Sequence, residues 1–167
     1  KRLERINFAG PYYQSQAAIL VKSDNTTSNS GADLAGKTIA TQASSTGVTV
    51  LESEAPEAKI LELPDHTQAL TAVQQGRADA YVIDQALLLN ALVSNDDVKI
   101  VGEPFGPVDA YGIGVNKDSD AKAFVDAWLQ TVIDDGTWLE LWKATIGAKT
   151  GTDIVPTPPA INSAGNA

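Results

Sequence analysis

The sequence contains no cysteine. Disulfides, thiolate zinc sites and cysteine nucleophiles are thereby excluded, and an exported protein without disulfides fits as well as a cytosolic one. Histidine is nearly absent too: His66 is the only one, so no imidazole pair exists to hold a transition metal. Positive charge is scarce, with 12 Lys and Arg against 21 Asp and Glu and a formal net charge of −9. Nucleic acid and anionic membranes both require a basic face, so neither is an expected partner. No apolar run approaches the roughly 20 residues that cross a bilayer, and no direct membrane insertion by this chain is expected.

What remains is an ordinary globular composition, 43 % apolar and 20 % charged over 167 residues, enough for one good-sized core or two small ones. The chain opens at Lys1 rather than Met, and a portion preceding it is expected. "INFAGPYY" (6–13) is an apolar run broken by Gly10-Pro11, and "AAILVK" (17–22) reads as a buried strand. A polar, turn-rich stretch follows, with one helical turn expected at 32–35. From there the pattern is regular. Strands at 37–42, 58–63, 79–83 and 98–102 alternate with helices at 46–55, 65–76 and 85–93. Asp65 and Gln68 are spaced as a capping box, and Gly76 is placed to stop its helix. Such alternation predicts an α/β fold with right-handed βαβ units and a parallel sheet.

After "EPFGP" (103–107) comes a glycine-containing strand at 110–116. Ser119 is placed to cap a helix whose Ala121, Phe124, Val125, Trp128, Leu129 and Val132 form one stripe. Thr137 and Glu140 form a second capping box, and Trp138, Leu141, Trp142 and Ile146 line a face of the last helix. The segment 112–147 supplies one strand and two helices, too little for a sheet-based domain, so partner strands outside this chain are expected. The Pro/Gly/Ala-rich tail, 150–167, is expected to be disordered.

In a parallel α/β sheet, ligands bind beyond the carboxyl ends of the strands. Two groups fall there. The loop in "IATQASSTGV" (39–48) brings Ser44, Ser45 and Thr46 to a helix N-terminus, where hydroxyls and unpaired N–H groups suit a carboxylate or a phosphate. No Lys follows as a P-loop requires, which disfavours a nucleotide. The same loop is also what an ordinary N-cap looks like. Asp84, directly after "DAYVI", either caps the helix at 85 or accepts a cation such as an ammonium group. A carboxylate cradle beside an ammonium acceptor matches a zwitterionic α-amino acid. A Ser45–His66–Asp84 triad can be written on paper, but no G-x-S-x-G elbow accompanies it.

At this level the residues resemble a known family, the extracytoplasmic solute-binding proteins of polar amino-acid ABC transporters. The resemblance covers nearly all of 1–147. It rests on "R-LERINFAGPYY" (2–13), "DLAGKTIATQASSTG" (33–47), "ALTAVQQGRADAYVID" (69–84), "YGIGVNKDSD" (111–120) and "DDGTWLELWKATIG" (134–147), five loose motifs in the family's order. It implies a type II periplasmic-binding-protein fold of two lobes joined by a two-strand hinge. Residues 14–106 would form lobe 2, with 1–13 and 112–149 a remnant of an incomplete lobe 1, and 107–111 the second hinge crossing.

Carried over by position, Arg2 matches the residue that grips the ligand α-carboxylate, bidentately as only a guanidinium can. Thr46 matches a second carboxylate contact, and Ser45 occupies the position before it. Asp84 matches the acceptor of the α-ammonium, and Gln42 falls near the ligand side chain. Ser44 stands where the family usually has glycine. The resemblance implies no cofactor and no enzymatic activity. It implies an amino-acid ligand, glutamate or glutamine first, captured by hinge closure and passed to a membrane permease. The location would be periplasmic or on the cell surface, with room for a lipid anchor in the portion before Lys1. The alternative is an enzyme on the same fold, a cyclohexadienyl or arogenate dehydratase, which would need a general acid over the substrate ring.

Overall fold

A computed structural model describes residues 4–150 and 156–161. The chain divides into two compact units, one made of Ser15–Pro107 and the other of Lys1–Gln14 together with Val108–Ala167. Both boundaries fall inside long strands, β1 (Ile6–Lys22) and β5 (Val98–Asn116).

In the 15–107 unit, β1 leads through a 3-10 turn at Gly31–Leu34 to β2 (Thr38–Gln42) and α1 (Thr46–Glu54). Then come β3 (Lys59–Leu63), α2 (His66–Gln74), β4 (Ala80–Asp84) and α3 (Gln85–Leu92), before β5. The strands form one sheet in the order β3-β2-β4-β1-β5. The expected parallel pairing holds for β2 with β3 and with β4. It fails for β1, which runs antiparallel to β4 with Ala17 opposite Asp84 and Leu20 opposite Tyr81. The sheet is therefore mixed. The segment 98–116 also corrects the expectation of two strands, because "EPFGP" bends the chain without interrupting it.

Both faces of this sheet are covered, which explains why "AAILV" shows no polar alternation. Ala18 and Leu20 of β1, with Tyr81 and Ile83 of β4, pack against Ala69, Val73 and Leu88 of α2 and α3. Their neighbours Ala17, Ile19 and Val21, with Val82 of β4 and Ile39 of β2, pack against Val50 and Leu51 of α1 and Leu34 of the 3-10 turn. Fully burying a side chain of the Val, Leu or Ile type contributes about 1.5–3 kcal/mol, so these two layers hold the unit together.

The segment joining β1 to β2 is polar but firmly tied. Lys37 Nζ donates to the Thr27 carbonyl (2.9 Å) and to the buried Ser28 hydroxyl, while Lys99 Nζ donates to the Asn25 carbonyl (2.9 Å). The Asp65 carboxylate caps α2 by accepting from Gln68 N–H at 2.8 Å. Gln68 returns the bond to the Asp65 carboxylate rather than to its backbone, so the box closes side chain to side chain.

His66, at the start of α2, turns toward the sheet, where its Nδ1 lies 3.1 Å from the hydroxyl of the buried Tyr81. Burial lowers the imidazole's affinity for protons, with Asp65 opposing, and raises that of the phenolate. The unfolded chain then takes up a proton near the ordinary histidine value while the folded chain resists. The contribution of His66 to stability is accordingly constant above about pH 6.5 and falls as pH drops from there. A His66→Gln variant should melt with a flatter dependence between pH 7 and pH 5 than the wild type; parallel curves would refute this.

In the other unit, α4 (Ala121–Asp134) and α5 (Thr137–Trp142) grip the first part of β1. The Asp126 carboxylate accepts from Gly10 N–H at 2.7 Å and pairs with Lys122, and Trp138 Nε1 donates to the Tyr12 carbonyl at 2.7 Å. The α4 stripe is only half buried. Leu129 and Val132 are in the core, whereas Phe124 and Trp128 are exposed. On the last helical face, Trp138 and Trp142 are buried and Leu141 is exposed. The capping box expected at Thr137 and Glu140 is replaced by Asp135, whose carboxylate accepts from Thr137 N–H. A π-helical turn (Lys143–Gly147) and a short helix (Ala148–Thr150) follow. Within the 150–167 tail, residues 156–161 are described and Pro159 is buried.

Candidate functional site

Strands β2 and β4 are parallel neighbours with Ala40 beside Tyr81, so they end almost level, at Gln42 and Asp84. This edge carries five of the residues singled out from the sequence: Gln42, Ser44, Ser45, Thr46 and Asp84. Arg2 lies outside the described residues.

The loop leaving β2 turns sharply. Ser45 donates to the Gln42 carbonyl twice, through its hydroxyl at 2.6 Å and its N–H at 3.2 Å. The Ser45 hydroxyl is thus turned back on the loop and does not cap α1. The Val48 N–H turns back to the Ser45 carbonyl (3.3 Å), whereas those of Thr46 and Gly47 have no intrahelical partner and stay available to an outside acceptor, with the exposed Thr46 side chain beside them. Ser44 takes φ 60°, the left-handed conformation that glycine adopts readily and serine does not. The turn keeps a glycine shape with a serine in it. A Ser44→Gly variant should gain about 1 kcal/mol of stability by relieving this strain, read from thermal or denaturant unfolding. An unchanged or lower stability would show that the serine side chain compensates.

Gly47, in the first turn of α1, lies against the strand ends. A side chain there would meet the Thr41 hydroxyl and, at 2.9 Å, the Val82 carbonyl. Thr41 is itself fully buried and donates to that same Val82 carbonyl at 2.8 Å. The close approach sets the N-terminus of α1 beside β4, two residues before Asp84.

Asp84 is 7 % exposed. It does cap α3, accepting from Ala86 N–H at 2.8 Å, but it uses Oδ1 alone. The same oxygen accepts from the Ser15 hydroxyl at 3.0 Å. Ser15, on β1, carries no signal in the sequence that could have found it. The antiparallel pairing of β1 with β4 brings it there. His66 faces Tyr81 across the sheet, so the paper triad has no orienting partner for its base. Among the described residues no cluster of His, Cys, Asp and Glu could hold a metal, and no helix is long and apolar enough to cross a membrane.

The glutamine-binding protein GlnH of the ABC transporter in Bacillus subtilis is 30 % identical over 150 residues, covering 87 % of this chain and 54 % of GlnH. The chain is homologous to the amino-acid-binding proteins of ABC transporters. The glutamate-binding protein GluB of Corynebacterium glutamicum is 29 % identical over 154 residues, covering 87 % of this chain and 52 % of GluB. Among solved structures, the amino-acid ABC transporter substrate-binding protein AbpA of Streptococcus pneumoniae, bound to L-arginine, superposes with a TM-score of 0.75. It is 25 % identical, and the match covers 89 % of this chain and 64 % of AbpA. The fold is thus that of part of a periplasmic amino-acid-binding protein. These relatives are binding proteins, not enzymes, and nothing favours the dehydratase alternative. The chain spans about half the length of the curated relatives it matches. No protein-family model matches it.

Proposed function

We propose that the protein is the substrate-binding component of an ABC importer, capturing a polar amino acid outside the cytoplasm and passing it to a membrane permease. One observation carries the reading: a buried carboxylate and an uncapped helix N-terminus stand at the adjoining ends of two parallel strands. Asp84 accepts the ligand α-ammonium, while Thr46 and the first N–H groups of α1 receive the α-carboxylate, together with Arg2. Gln42 addresses the side chain. In this reading the 15–107 unit is lobe 2, and the rest of the described chain belongs to lobe 1. Glutamate or glutamine is the favoured ligand, in keeping with the relatives named for glutamine and glutamate.

The test is a calorimetric and thermal-shift screen of the full-length protein against the amino acids. A ligand present at 100 times its Kd should stabilise the native state by about 2.7 kcal/mol. Asp84→Asn is the informative variant, because asparagine can still cap α3 while lacking the charge. It should weaken binding and shrink the shift sharply, and leave the unliganded melting temperature close to that of the wild type. No shift with any amino acid, or undiminished binding by the variant, would overturn the proposal.

A further inference from the structure

The Asp84 carboxylate is used asymmetrically. Oδ1 accepts two hydrogen bonds, from the Ser15 hydroxyl (3.0 Å) and from Ala86 N–H (2.8 Å). Oδ2 accepts none from any described residue. Nor is it a sealed orphan: the only fully buried side-chain polar atom without a partner among the described residues is Trp142 Nε1, in the other unit. Oδ2 therefore keeps contact with solvent although Asp84 as a whole is 7 % exposed.

Two donors on one oxygen fix the plane of a carboxylate. The Ala86 N–H alone would do so poorly, because an N-cap side chain can still rotate about its last torsion. The Ser15 bond comes from a different strand. Its placement is set by the antiparallel register that puts Ala17 opposite Asp84. Ser15 is itself 7 % exposed, and its other acceptor, the Gln16 carbonyl, is distant at 3.5 Å. The serine proton is thus committed to Asp84, in a site where a bond to an ionised group is stronger than one between neutral groups.

We infer that Ser15 is a positioning residue of the ligand site, one that locks Asp84 through Oδ1 so that Oδ2 is presented as the acceptor of the ligand's cationic group. The inference rests on the amino-acid reading above and adds to it which oxygen does the binding and what holds it. A purely structural Ser15 would stabilise the fold and be indifferent to the charge on Asp84.

The two roles separate in a double-mutant cycle on the full-length protein, with calorimetric affinity for the amino acid found in the screen as the readout. Ser15→Ala should weaken binding about tenfold in the wild-type background. In the Asp84→Asn background, measured at ligand concentrations that saturate the weakened variant, it should cause no further loss. Should Ser15→Ala fail to fold, the pair Ser15→Thr and Ser15→Val decides, since they differ only by hydroxyl against methyl. Thr should bind about tenfold more tightly than Val. Wild-type affinity in Ser15→Ala, an equal loss in both backgrounds, or equal binding by Thr and Val would each overturn the inference. A wild type that binds no amino acid overturns it too, but is told apart because it appears before any substitution is made and sinks the functional reading first.

Discussion

A Gly102→Ala protein is expected to melt roughly 6–12 °C below the wild type. Gly102 lies within β5 at φ 68°, a conformation that costs an L-residue about 1–2 kcal/mol. A methyl group there would also collide with the Asn29 carbonyl oxygen. The obstacle is backbone, not the end of a flexible side chain, and that backbone is held in place by Lys99 on Asn25 and by Lys37 on Thr27 and Ser28. The loop cannot retreat without breaking these ties. Strain and crowding together should cost about 3 kcal/mol or more. Gly36→Ala is the control: it has the same sign of φ, 73°, with open space around it. It should lose only the conformational part. Equal melting temperatures for the two variants would show that the loop is free to move away from β5.

Gly47→Ala should be nearly as damaging, and its effect should reach the ligand. The added methyl collides with the Thr41 hydroxyl and lies 2.9 Å from the Val82 carbonyl. Thr41 has no room to yield, being fully buried and already bonded to Val82. Relief comes only by lifting the first turn of α1 off the strand ends, at a cost of about 1–3 kcal/mol. Lifting that turn moves the N–H groups proposed to receive the α-carboxylate, so amino-acid affinity should fall by at least about tenfold alongside the melting temperature. The double variant Thr41→Ala, Gly47→Ala should recover part of both, because the hydroxyl is the nearer obstacle. A Gly47→Ala protein with wild-type stability and affinity would mean that α1 does not press on the sheet as described.

Much of the 15–107 unit was legible from local pattern. The runs ending at Gln42, Leu63 and Asp84 are strands, Asp65 caps α2 as its spacing with Gln68 announced, and α1 stops just before Pro56. The direction of β1 was not legible, because an apolar run buried on both faces carries no mark of orientation. That single ambiguity hid Ser15, whose closeness to Asp84 depends entirely on the antiparallel register. The bend through Pro104 and Gly106 looks in the sequence like the end of a strand because proline and glycine usually punctuate, yet β5 runs on through it. The stripe on α4 is wider in sequence than in burial: helical spacing marks an apolar face but not how much of it finds a partner, and Phe124 and Trp128 remain exposed. Residue identity placed Ser44 in the loop, but only the backbone shows that it adopts the shape glycine would have given.

The division of the chain also sets an order of events during synthesis. The 15–107 unit is one uninterrupted stretch, and every hydrogen bond and apolar contact within it becomes available once Pro107 has emerged. The other unit has no such freedom. The partner of Gly10 is Asp126, 116 positions later, and that of Tyr12 is Trp138, 126 positions later. Closing loops of that length through an unfolded chain is slow and entropically costly. Once the inserted stretch has folded, however, its two ends are near neighbours, with Gln16 Nε2 donating to the Gly106 carbonyl at 2.7 Å. The long loop is then short in space. The folded insert thus holds Gln16 and Gly106 together and shortens the path that the flanking segments must close.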